Sequence, residues 1–224
     1  MLMEAIKMKI LITGTSKGIG LALAKRYLDN GHEVYGLDLL ESSINHKNYH
    51  HYIVDASKKK QLPDIDDVEI LINNAGLQNS KDDIENNLKS AIFVTEKYGF
   101  NPNIKSILFN ASASSRSGFE FPEYVASKAG MVGYMKNVAC RLAEFGVTVN
   151  SISLGGVITE SNAPVIENKK AWEEIMKATP MKKWMSESEV CDWVYFLTIV
   201  NKSMSGQDIL IDNGEYNLNN TFVW

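Results

Sequence analysis

A chain of 224 residues, 45% of them hydrophobic and 22% charged, is long enough to bury a full core and most simply forms a single domain. Its formal net charge of −4 argues against nucleic acid as the main partner. No apolar run reaches the roughly 20 residues that a membrane span needs, and residues 1–7 lack the apolar core of a signal peptide, so the sequence predicts a soluble, cytoplasmic protein.

The first unit along the chain is a strand, a glycine-rich loop and a helix. Residues 8–13 form a short β-branched run typical of a buried parallel strand, and a helical pattern follows at 21–28. Glycines between such elements let backbone N–H groups approach a pyrophosphate at the positive end of the helix. A tight turn without a ligand is the alternative. The loop residues that we predict to contact a dinucleotide are Gly14, Ser16, Lys17, Gly18, Ile19 and Gly20.

The second strand, residues 33–38, ends at Asp38, 18 residues after Gly20. A carboxylate at this position can accept both ribose hydroxyls of NAD and would repel the 2′-phosphate of NADP. Lys17 has the opposite tendency, because a cation in the glycine loop can pair with that phosphate. We therefore expect NAD(H) to be favoured, with NADP(H) as the alternative. Solvated charges without a ligand are the remaining interpretation.

The histidines and cysteines lack the pattern of a metal site. His46, His50 and His51 lie in a polar stretch without accompanying thiols or carboxylates, which predicts surface residues and no metal. Cys140 and Cys191 form neither a disulfide framework nor a ligand cluster, which fits a reducing cytosol. Both cysteines lie in apolar helical patterns, so we expect buried core thiols.

After a third short strand at residues 52–55, the fourth strand at 68–76 ends in amides and a glycine. Ligands of open α/β sheets bind at the carboxyl ends of strands, and small residues there let a flat cofactor lie against the backbone. An asparagine-rich turn is the alternative. The residues that we predict to contact the cofactor here are Asn74, Ala75 and Gly76.

Strands and helices continue to alternate along the rest of the chain. The predicted elements are a helix from about residue 84, strands at 106–110, 147–153 and 207–212, and a last helix at 189–200. This alternation predicts one α/β domain over residues 1–224, a doubly wound parallel sheet of the Rossmann type between two helical layers.

Two segments near the end of the chain have no place in that sheet. Residues 157–184 follow the carboxyl end of a strand and include an amphipathic helix at 171–178, so we predict a substrate lid. Trp172 and Trp184 either line an apolar pocket in it or serve packing alone. The tail, residues 213–224, either contacts a neighbouring subunit or is disordered.

Tyr124 and Lys128 lie four residues apart in a helical segment, so their side chains share one face, about 5–6 Å apart at Cβ. A phenol has an ordinary pKa of about 10 and is a weak acid or base at neutral pH. A nearby ammonium favours the phenolate and lowers that pKa, which would make a usable acid–base pair. The helix continues with an apolar stripe, expected in the core or at a subunit interface, of Met131, Met135, Val138 and Leu142.

Five motifs in a fixed order make the chain resemble the classical short-chain dehydrogenase/reductase (SDR) family from about Lys9 to Gly214. These are Thr13-Gly14-x-x-x-Gly18-Ile19-Gly20, Asn73-Asn74-Ala75-Gly76, Asn87-Leu88, a serine after the fifth strand, and Tyr124-x-x-x-Lys128. The resemblance implies a Rossmann fold, a small-molecule alcohol or ketone substrate, and a homotetramer or homodimer.

The resemblance also implies roles for individual residues. Tyr124 would exchange a proton with the substrate oxygen as hydride moves to or from the nicotinamide, while Lys128 lowers the pKa of the tyrosine and binds the nicotinamide ribose. A serine would hydrogen-bond the carbonyl oxygen, and Asn87 would complete a proton relay. We choose Ser112 over Ser114 because it fits the register of the fifth strand better. The implied cofactor contacts are Gly14, Ile19, Asp38, Asp55, Ala56, Asn74, Tyr124, Lys128, Val157 and Thr159.

The sequence departs from the family pattern in three further places. Leu154 replaces the usual proline before Gly155, which is expected to change the entry angle of the lid. The connections between strands three and four and between Asn73 and Asn87 are short, which predicts trimmed peripheral helices and a reshaped substrate entrance. The usual Asp-Gly-Gly near the C-terminus reads Asp212-Asn213-Gly214.

We therefore predict an NAD(P)-dependent oxidoreductase that transfers a hydride between the nicotinamide and an alcohol or carbonyl substrate, with Tyr124 as general acid and base. One alternative is a 3-oxoacyl-carrier-protein reductase, which would prefer NADPH and need a basic docking patch. Another is a non-catalytic dinucleotide-binding module, which would be expected to lose Tyr124 or Lys128. No metal, membrane or nucleic-acid partner is expected.

Overall fold

The computed structural model of the protein describes residues 7–216 and 218. Its strands are β1 (Lys9–Thr13), β2 (Glu33–Asp38), β3 (Tyr49–Ile53), β4 (Ile70–Asn73), β5 (Ser106–Asn110), β6 (Thr148–Leu154), β7 (Val157–Ile158), β8 (Met185–Ser186) and β9 (Asp208–Ile211). Its helices are α1 (Gly18–Asp29), α2 (Ser90–Tyr98), α3 (Ser114–Ser117), α4 (Pro122–Leu142), α5 (Ala163–Ile166), α6 (Lys169–Ala178) and α7 (Glu187–Tyr195). Single π-helical turns precede α2 at Ile84–Lys89 and follow α7 at Phe196–Val200.

Seven strands form one parallel sheet in the order β3-β2-β1-β4-β5-β6-β9, which confirms the predicted doubly wound fold. The chain winds outward in both directions from β1 and β4. Ligands of such sheets bind at this switch in strand order, beyond the carboxyl ends of the strands. The fold therefore gathers the ends of β1, β2, β4 and β5 at one edge.

Side chains alternate between the two faces of the sheet and build a core on each. Leu11, Leu71 and Ile107 point to the layer that contains α2 and α4, while Ile10 and Ile72 point to the layer that contains α1 and α7. Fully burying one such side chain contributes about 1.5–3 kcal/mol to folding. The apolar stripe predicted on α4 is buried in the first core: Met131, Met135, Val138 and Leu142.

Two expectations about local structure are wrong. The third strand covers residues 49–53 rather than 52–55, and it includes His50 and His51. Register with β2 explains this, because His50 stacks on Tyr35 with ring centroids 4.7 Å apart and its Nε2 lies 3.0 Å from Glu33 Oε1. Cys191 is buried as expected, but Cys140 is exposed.

The peripheral connections are short, as predicted. Between β3 and β4 the chain forms a single 3₁₀ turn, Lys59–Gln61. Within the described part of the chain, no helix is both long and apolar enough to cross a membrane, and no three His, Cys, Asp or Glu side chains are grouped as metal ligands would be. The prediction for the tail falls mostly on residues 217 and 219–224, outside the described residues.

A buried histidine gives the fold a pH dependence. His32 is 3% exposed, and its Nδ1 accepts the N–H of Met8, so the proton sits on Nε2, which has no partner among the described residues. Burial lowers the pKa of His32, so the folded state favours the neutral ring. In the unfolded chain the histidine has its ordinary pKa of about 6.5. The free energy of unfolding is therefore highest above that pH and decreases as the pH falls below it.

The free energy of unfolding of the wild type should decrease between about pH 7 and pH 5, and we expect this decrease to be smaller in His32→Leu. The difference should be about 1.4 kcal/mol for each unit by which the pKa of His32 differs between the folded and the unfolded chain. Urea unfolding at several pH values measures this. His46→Leu, at an exposed loop histidine, is the matched control and should keep the wild-type slope. An unchanged slope in His32→Leu would contradict the assignment.

Candidate active site

At Gly14 and Gly20, the glycine loop at the end of β1 has no room for a side chain. A Cβ added to Gly20 would lie 1.8 Å from the carbonyl oxygen of Gly14. Gly14 itself has a φ of +76°, and its N–H donates to the carbonyl of Leu37 on β2 at 2.7 Å. Lys17, which precedes α1, provides no side-chain cap, and the first turn of α1 has no acidic residue. This uncapped helix start, cradled by glycines, fits the pyrophosphate of a dinucleotide.

Asp38 lies directly against this loop at the end of β2. Its Oδ2 accepts the N–H of Ser16 at 2.9 Å, and its Oδ1 accepts the N–H of Leu40 at 2.9 Å. The Ser16 hydroxyl donates to the Leu40 carbonyl at 3.0 Å, so Ser16, Asp38 and Leu40 are joined in a ring of hydrogen bonds. Each carboxylate oxygen keeps a further lone pair for a ligand hydroxyl. Lys17 is exposed and forms no ion pair with a described residue.

The other predicted cofactor residues lie at the same edge or beside it. The side chain of Asp55 forms hydrogen bonds within its own loop: its Oδ1 accepts the N–H of Ser57 at 2.9 Å and the hydroxyl of Ser57 at 2.6 Å. Ala56 packs against the core. Val157 is buried at the start of β7, and Thr159 follows that strand with a partly exposed side chain.

Amide side chains connect the glycine loop to the lysine on α4. The Nδ2 of Asn74 donates to the carbonyl of Thr13 at 3.0 Å, and its Oδ1 accepts from Nδ2 of Asn110 at 2.9 Å. The Nζ of Lys128 donates to the carbonyl of Asn110 at 2.8 Å. Sequence reasoning missed Asn110, although its place at the end of β5, next to the amides that end β4, is a usable signal.

Tyr124 and Lys128 face the same space, with Nζ 5.7 Å from the centre of the phenol ring. Gly76 completes this space, since a Cβ there would lie 3.2 Å from the lysine Nζ. Burial lowers the pKa of Lys128 to about 8, and the Asp83 carboxylate opposes that fall. At neutral pH most of the lysine is therefore still charged.

The pKa of Tyr124 does not follow the sequence-based expectation. Its pKa is raised to about 12: burial is the largest cause, the hydroxyl of Ser112 opposes the rise, and the carboxylates of Glu120 and Asp83 contribute to it. A lowered pKa was expected from Lys128. Desolvation prevails because burial penalises the charged phenolate, while the Lys128 ammonium donates its hydrogen bond to the Asn110 carbonyl.

Of the two candidate serines, Ser112 is the one whose hydroxyl lowers the pKa of Tyr124. Ser114 lies behind it, and its hydroxyl donates to Oγ of Ser112 at 2.9 Å. Ser114 is fully buried, whereas Ser112 is 7% exposed. The N–H of Ser114 also donates to Oγ of Ser112 at 3.2 Å, so two donors fix the position of that oxygen.

Asn87 lies in the π-helical turn before α2 and is fully buried. Its amide exchanges two hydrogen bonds with the backbone of Leu77, at 2.7 and 2.8 Å. Its Nδ2 also donates at 3.0 Å to Ser127, whose hydroxyl donates to the Tyr124 carbonyl at 2.7 Å. One turn earlier, Asp83 accepts the N–H groups of Asn79 and Ser80. The two side chains hold the shortened loop after β4 against the start of α4.

The segment predicted as a lid folds over the end of β6. Trp184 lies flat on Gly156, where a Cβ would be 2.0 Å from the indole, and its ring meets Trp172 edge-on at 5.1 Å. The two tryptophans therefore pack on each other, and Trp184 also packs on Gly156, just before the predicted lid. Leu154, in place of proline, extends β6 by pairing with Ile211. Asn213 adopts a φ of +55°, a conformation that asparagine tolerates better than most residues.

Known proteins match this chain over most of its length. A family model described as short chain dehydrogenase matches residues 8–170. A 3-oxoacyl-[acyl-carrier-protein] reductase from Buchnera aphidicola is 27% identical over 240 residues, which cover 92% of this chain and 96% of the relative. A 2-dehydro-3-deoxy-D-gluconate 5-dehydrogenase from Bacillus subtilis is 25% identical and covers 91% and 92%, respectively.

The solved structures agree on the architecture. That of 4-hydroxyisoleucine dehydrogenase complexed with NADH has a TM-score of 0.85 and 22% identity, over 95% of this chain and 100% of that one. At this identity the likeness supports the fold alone.

Proposed function

Because the chain belongs to the short-chain dehydrogenase family, we propose that Tyr124, Lys128 and Ser112 carry out its chemistry. The protein is an oxidoreductase that acts with a nicotinamide cofactor on the hydroxyl or carbonyl group of a small molecule. The observation that carries the assignment of roles is that the Tyr124 phenol has both the Ser112 hydroxyl and the Lys128 ammonium beside it at the carboxyl edge of the sheet.

The ionisation of Tyr124 defines its role in each direction. With a pKa of about 12, the phenol is protonated at neutral pH and is a proton donor to the oxygen of a carbonyl substrate. In alcohol oxidation the tyrosine is the base and must first lose its proton, which Ser112 favours and Glu120 opposes. The neighbouring Lys128, mostly protonated at neutral pH, stabilises the negative charge that develops on the oxygens.

The bound nicotinamide supplies the hydride acceptor or donor. The residues that would hold the dinucleotide are Gly14, Ser16, Lys17, Gly18, Ile19, Gly20, Asp38, Asp55, Ala56, Asn74, Ala75, Gly76, Tyr124, Lys128, Val157 and Thr159. We propose that Asn87 completes a proton relay and also positions the site, because its amide holds the loop after β4 and bonds to Ser127. We further propose that residues 157–184 act as the substrate lid, that the protein is a homotetramer or homodimer, and that it is cytoplasmic.

The two serines can be separated by mutation. We expect Ser112→Ala to lower kcat by about 10²-fold, the cost of losing one donor to a developing oxyanion. Ser114→Ala is the matched control and should have a smaller effect, because its hydroxyl acts through Ser112. Steady-state kinetics of both variants measures the difference. A larger loss in Ser114→Ala would reverse the assignment.

We propose that NAD(H) is the preferred cofactor, since the Asp38 carboxylate lies against the glycine loop where it would repel a 2′-phosphate. Asp38→Asn is expected to lower the preference for NADH over NADPH by at least about tenfold, or about 1.4 kcal/mol. Parallel fluorescence titrations with the two cofactors measure it. The reciprocal variant, Lys17→Met, should weaken the binding of NADPH and leave the binding of NADH unchanged. Tighter binding of NADPH to the wild-type protein would contradict the proposal.

A second candidate is favoured by the relatives, several of which are 3-oxoacyl-[acyl-carrier-protein] reductases. Such an activity needs a basic surface for an acidic carrier protein and a cleft that accepts its substrate. It would also prefer NADPH, so the parallel titrations with the two cofactors distinguish it from the first candidate.

A further inference from the structure

Strand β3, at one edge of the sheet, carries two polar side chains on the face that contains α1. Tyr49 packs against the core of that layer, and His51, two residues on, shares its face. His50 lies on the other face, where it stacks on Tyr35. In the register of the sheet His51 lies opposite Gly36 on β2. Both Tyr49 and His51 are partly buried, and neither belongs to the catalytic or cofactor-binding residues proposed above.

Gly36 makes room for a hydrogen bond between Tyr49 and the glycine loop. The Tyr49 hydroxyl donates to Oγ1 of Thr15 at 2.9 Å. Thr15 follows Gly14 in that loop and is fully buried. A Cβ on Gly36 would lie 2.3 Å from the Tyr49 hydroxyl oxygen and 2.4 Å from Oγ1 of Thr15, so a side chain at this position would displace the pair. Strand β3 is thereby joined to the loop that is proposed to hold the cofactor.

His51 extends this connection to the segment after β2. Its Nδ1 lies 3.0 Å from the Tyr49 hydroxyl oxygen, and its Nε2 lies 2.8 Å from the carbonyl oxygen of Leu40. A carbonyl oxygen can only accept, so Nε2 carries a proton and donates it to this bond. The same carbonyl accepts the Ser16 hydroxyl at 3.0 Å. Two donors therefore hold the Leu40 carbonyl, one from the glycine loop and one from β3.

The backbone of Leu40 in turn holds the Asp38 carboxylate. The N–H of Leu40 donates to Oδ1 of Asp38 at 2.9 Å, while the N–H of Ser16 donates to Oδ2 at 2.9 Å. The Leu40 side chain is 52% exposed, so apolar packing contributes little to the position of this residue. The hydrogen bonds of its backbone therefore fix it, and through them His51 acts on Asp38.

We propose that His51 is a positioning residue for cofactor selection, which holds the Leu40 backbone so that Asp38 keeps the orientation that accepts the ribose hydroxyls of NAD(H). The inference rests on the proposed preference for NAD(H) and adds the side chain that maintains it. When the imidazole is removed, the Leu40 carbonyl keeps, among the described residues, only the Ser16 hydroxyl as a side-chain donor. The Asp38 carboxylate then turns more freely, accepts the ribose hydroxyls less well and repels a 2′-phosphate less.

The test measures the dissociation constants of NADH and NADPH in parallel for the full chain and its variants. In His51→Leu, which removes both ring nitrogens, we expect the preference for NADH to fall about fivefold, the equivalent of about 1 kcal/mol for one hydrogen bond. His51→Gln should recover most of the preference, because its amide can donate to the Leu40 carbonyl. Tyr49→Phe removes only the partner of Nδ1 and should lower the preference less; this milder change tests the inference even if His51→Leu does not fold.

His50→Leu is the matched control, because it removes the neighbouring imidazole, whose Nε2 lies 3.0 Å from Glu33 on the other face. It should keep the wild-type preference, and thermal unfolding of both leucine variants shows whether either has lost its fold. An unchanged preference in His51→Leu, or an equal fall in His51→Gln or His50→Leu, would overturn the inference. Asp38→Asn distinguishes that result from a failure of the proposed function. If Asp38→Asn also leaves the preference unchanged, the proposed role of Asp38 fails and the inference with it.

Discussion

Tyr124→Phe is expected to lower kcat by at least about 10²-fold, up to about 10⁴-fold, because it removes the group that we propose as the proton donor to the reacting oxygen. Nucleotide binding should persist, since the glycine loop and Asp38 lie on other elements. The fold should also persist, because the lost hydroxyl contributes about 1 kcal/mol at most. Single-turnover kinetics with saturating cofactor separates this loss from weaker binding.

The matched control for this variant is Tyr134→Phe. Tyr134 lies on the same helix, but its hydroxyl donates to Glu96 at 2.8 Å, away from the cleft. Activity near the wild-type level is expected there. If Tyr124→Phe retains full activity while the fold and cofactor binding are intact, the phenol is not the proton donor.

The second large effect is expected for Gly20→Ala. The added methyl would overlap the Gly14 carbonyl, a backbone group that cannot rotate away, so the loop must open. We expect a loss of about 3 kcal/mol or more in stability, at the upper end for overpacked sites, with loss of cofactor binding. Thermal unfolding and a cofactor titration measure the two consequences.

Gly133→Ala is the matched control for the glycine substitution. Gly133 lies in the middle of α4, and a Cβ there meets no atom within 4 Å. Alanine in an exposed helix interior should stabilise by about 0.5–1 kcal/mol. Equal and small effects at the two glycines would show that the glycine loop tolerates a side chain and is not the close-packed cradle described here.

Much of the fold could be read from the sequence because its signals are local. The strand, glycine loop and helix from β1 to α1 have a spacing that few other structures use, and the apolar stripe of α4 has a clear helical period. The boundary of β3 was harder. A polar residue such as His50 fits this strand because its ring stacks on Tyr35 and its Nε2 is within hydrogen-bond distance of Glu33, both on β2.

The properties that sequence reasoning could not supply depend on tertiary contacts. The raised pKa of Tyr124 follows mainly from burial, with smaller contributions from Glu120, four residues earlier, and from Asp83, in another helix. Strand register favours Ser112 over Ser114 from the sequence, but the single turn α3, which places Ser114 behind Ser112, has no periodicity that predicts it. Asn110 emerges only once the Lys128 ammonium is seen on its carbonyl.

The most direct test of the central claim is to follow the nicotinamide absorbance while the full chain is mixed with a panel of small ketones and each reduced cofactor. The account predicts that the cofactor is oxidised in equal amount to the alcohol formed, in the wild type and not in Tyr124→Phe. If the cofactor binds but no carbonyl or alcohol in the panel is ever converted, the protein is a dinucleotide-binding module and the account is contradicted.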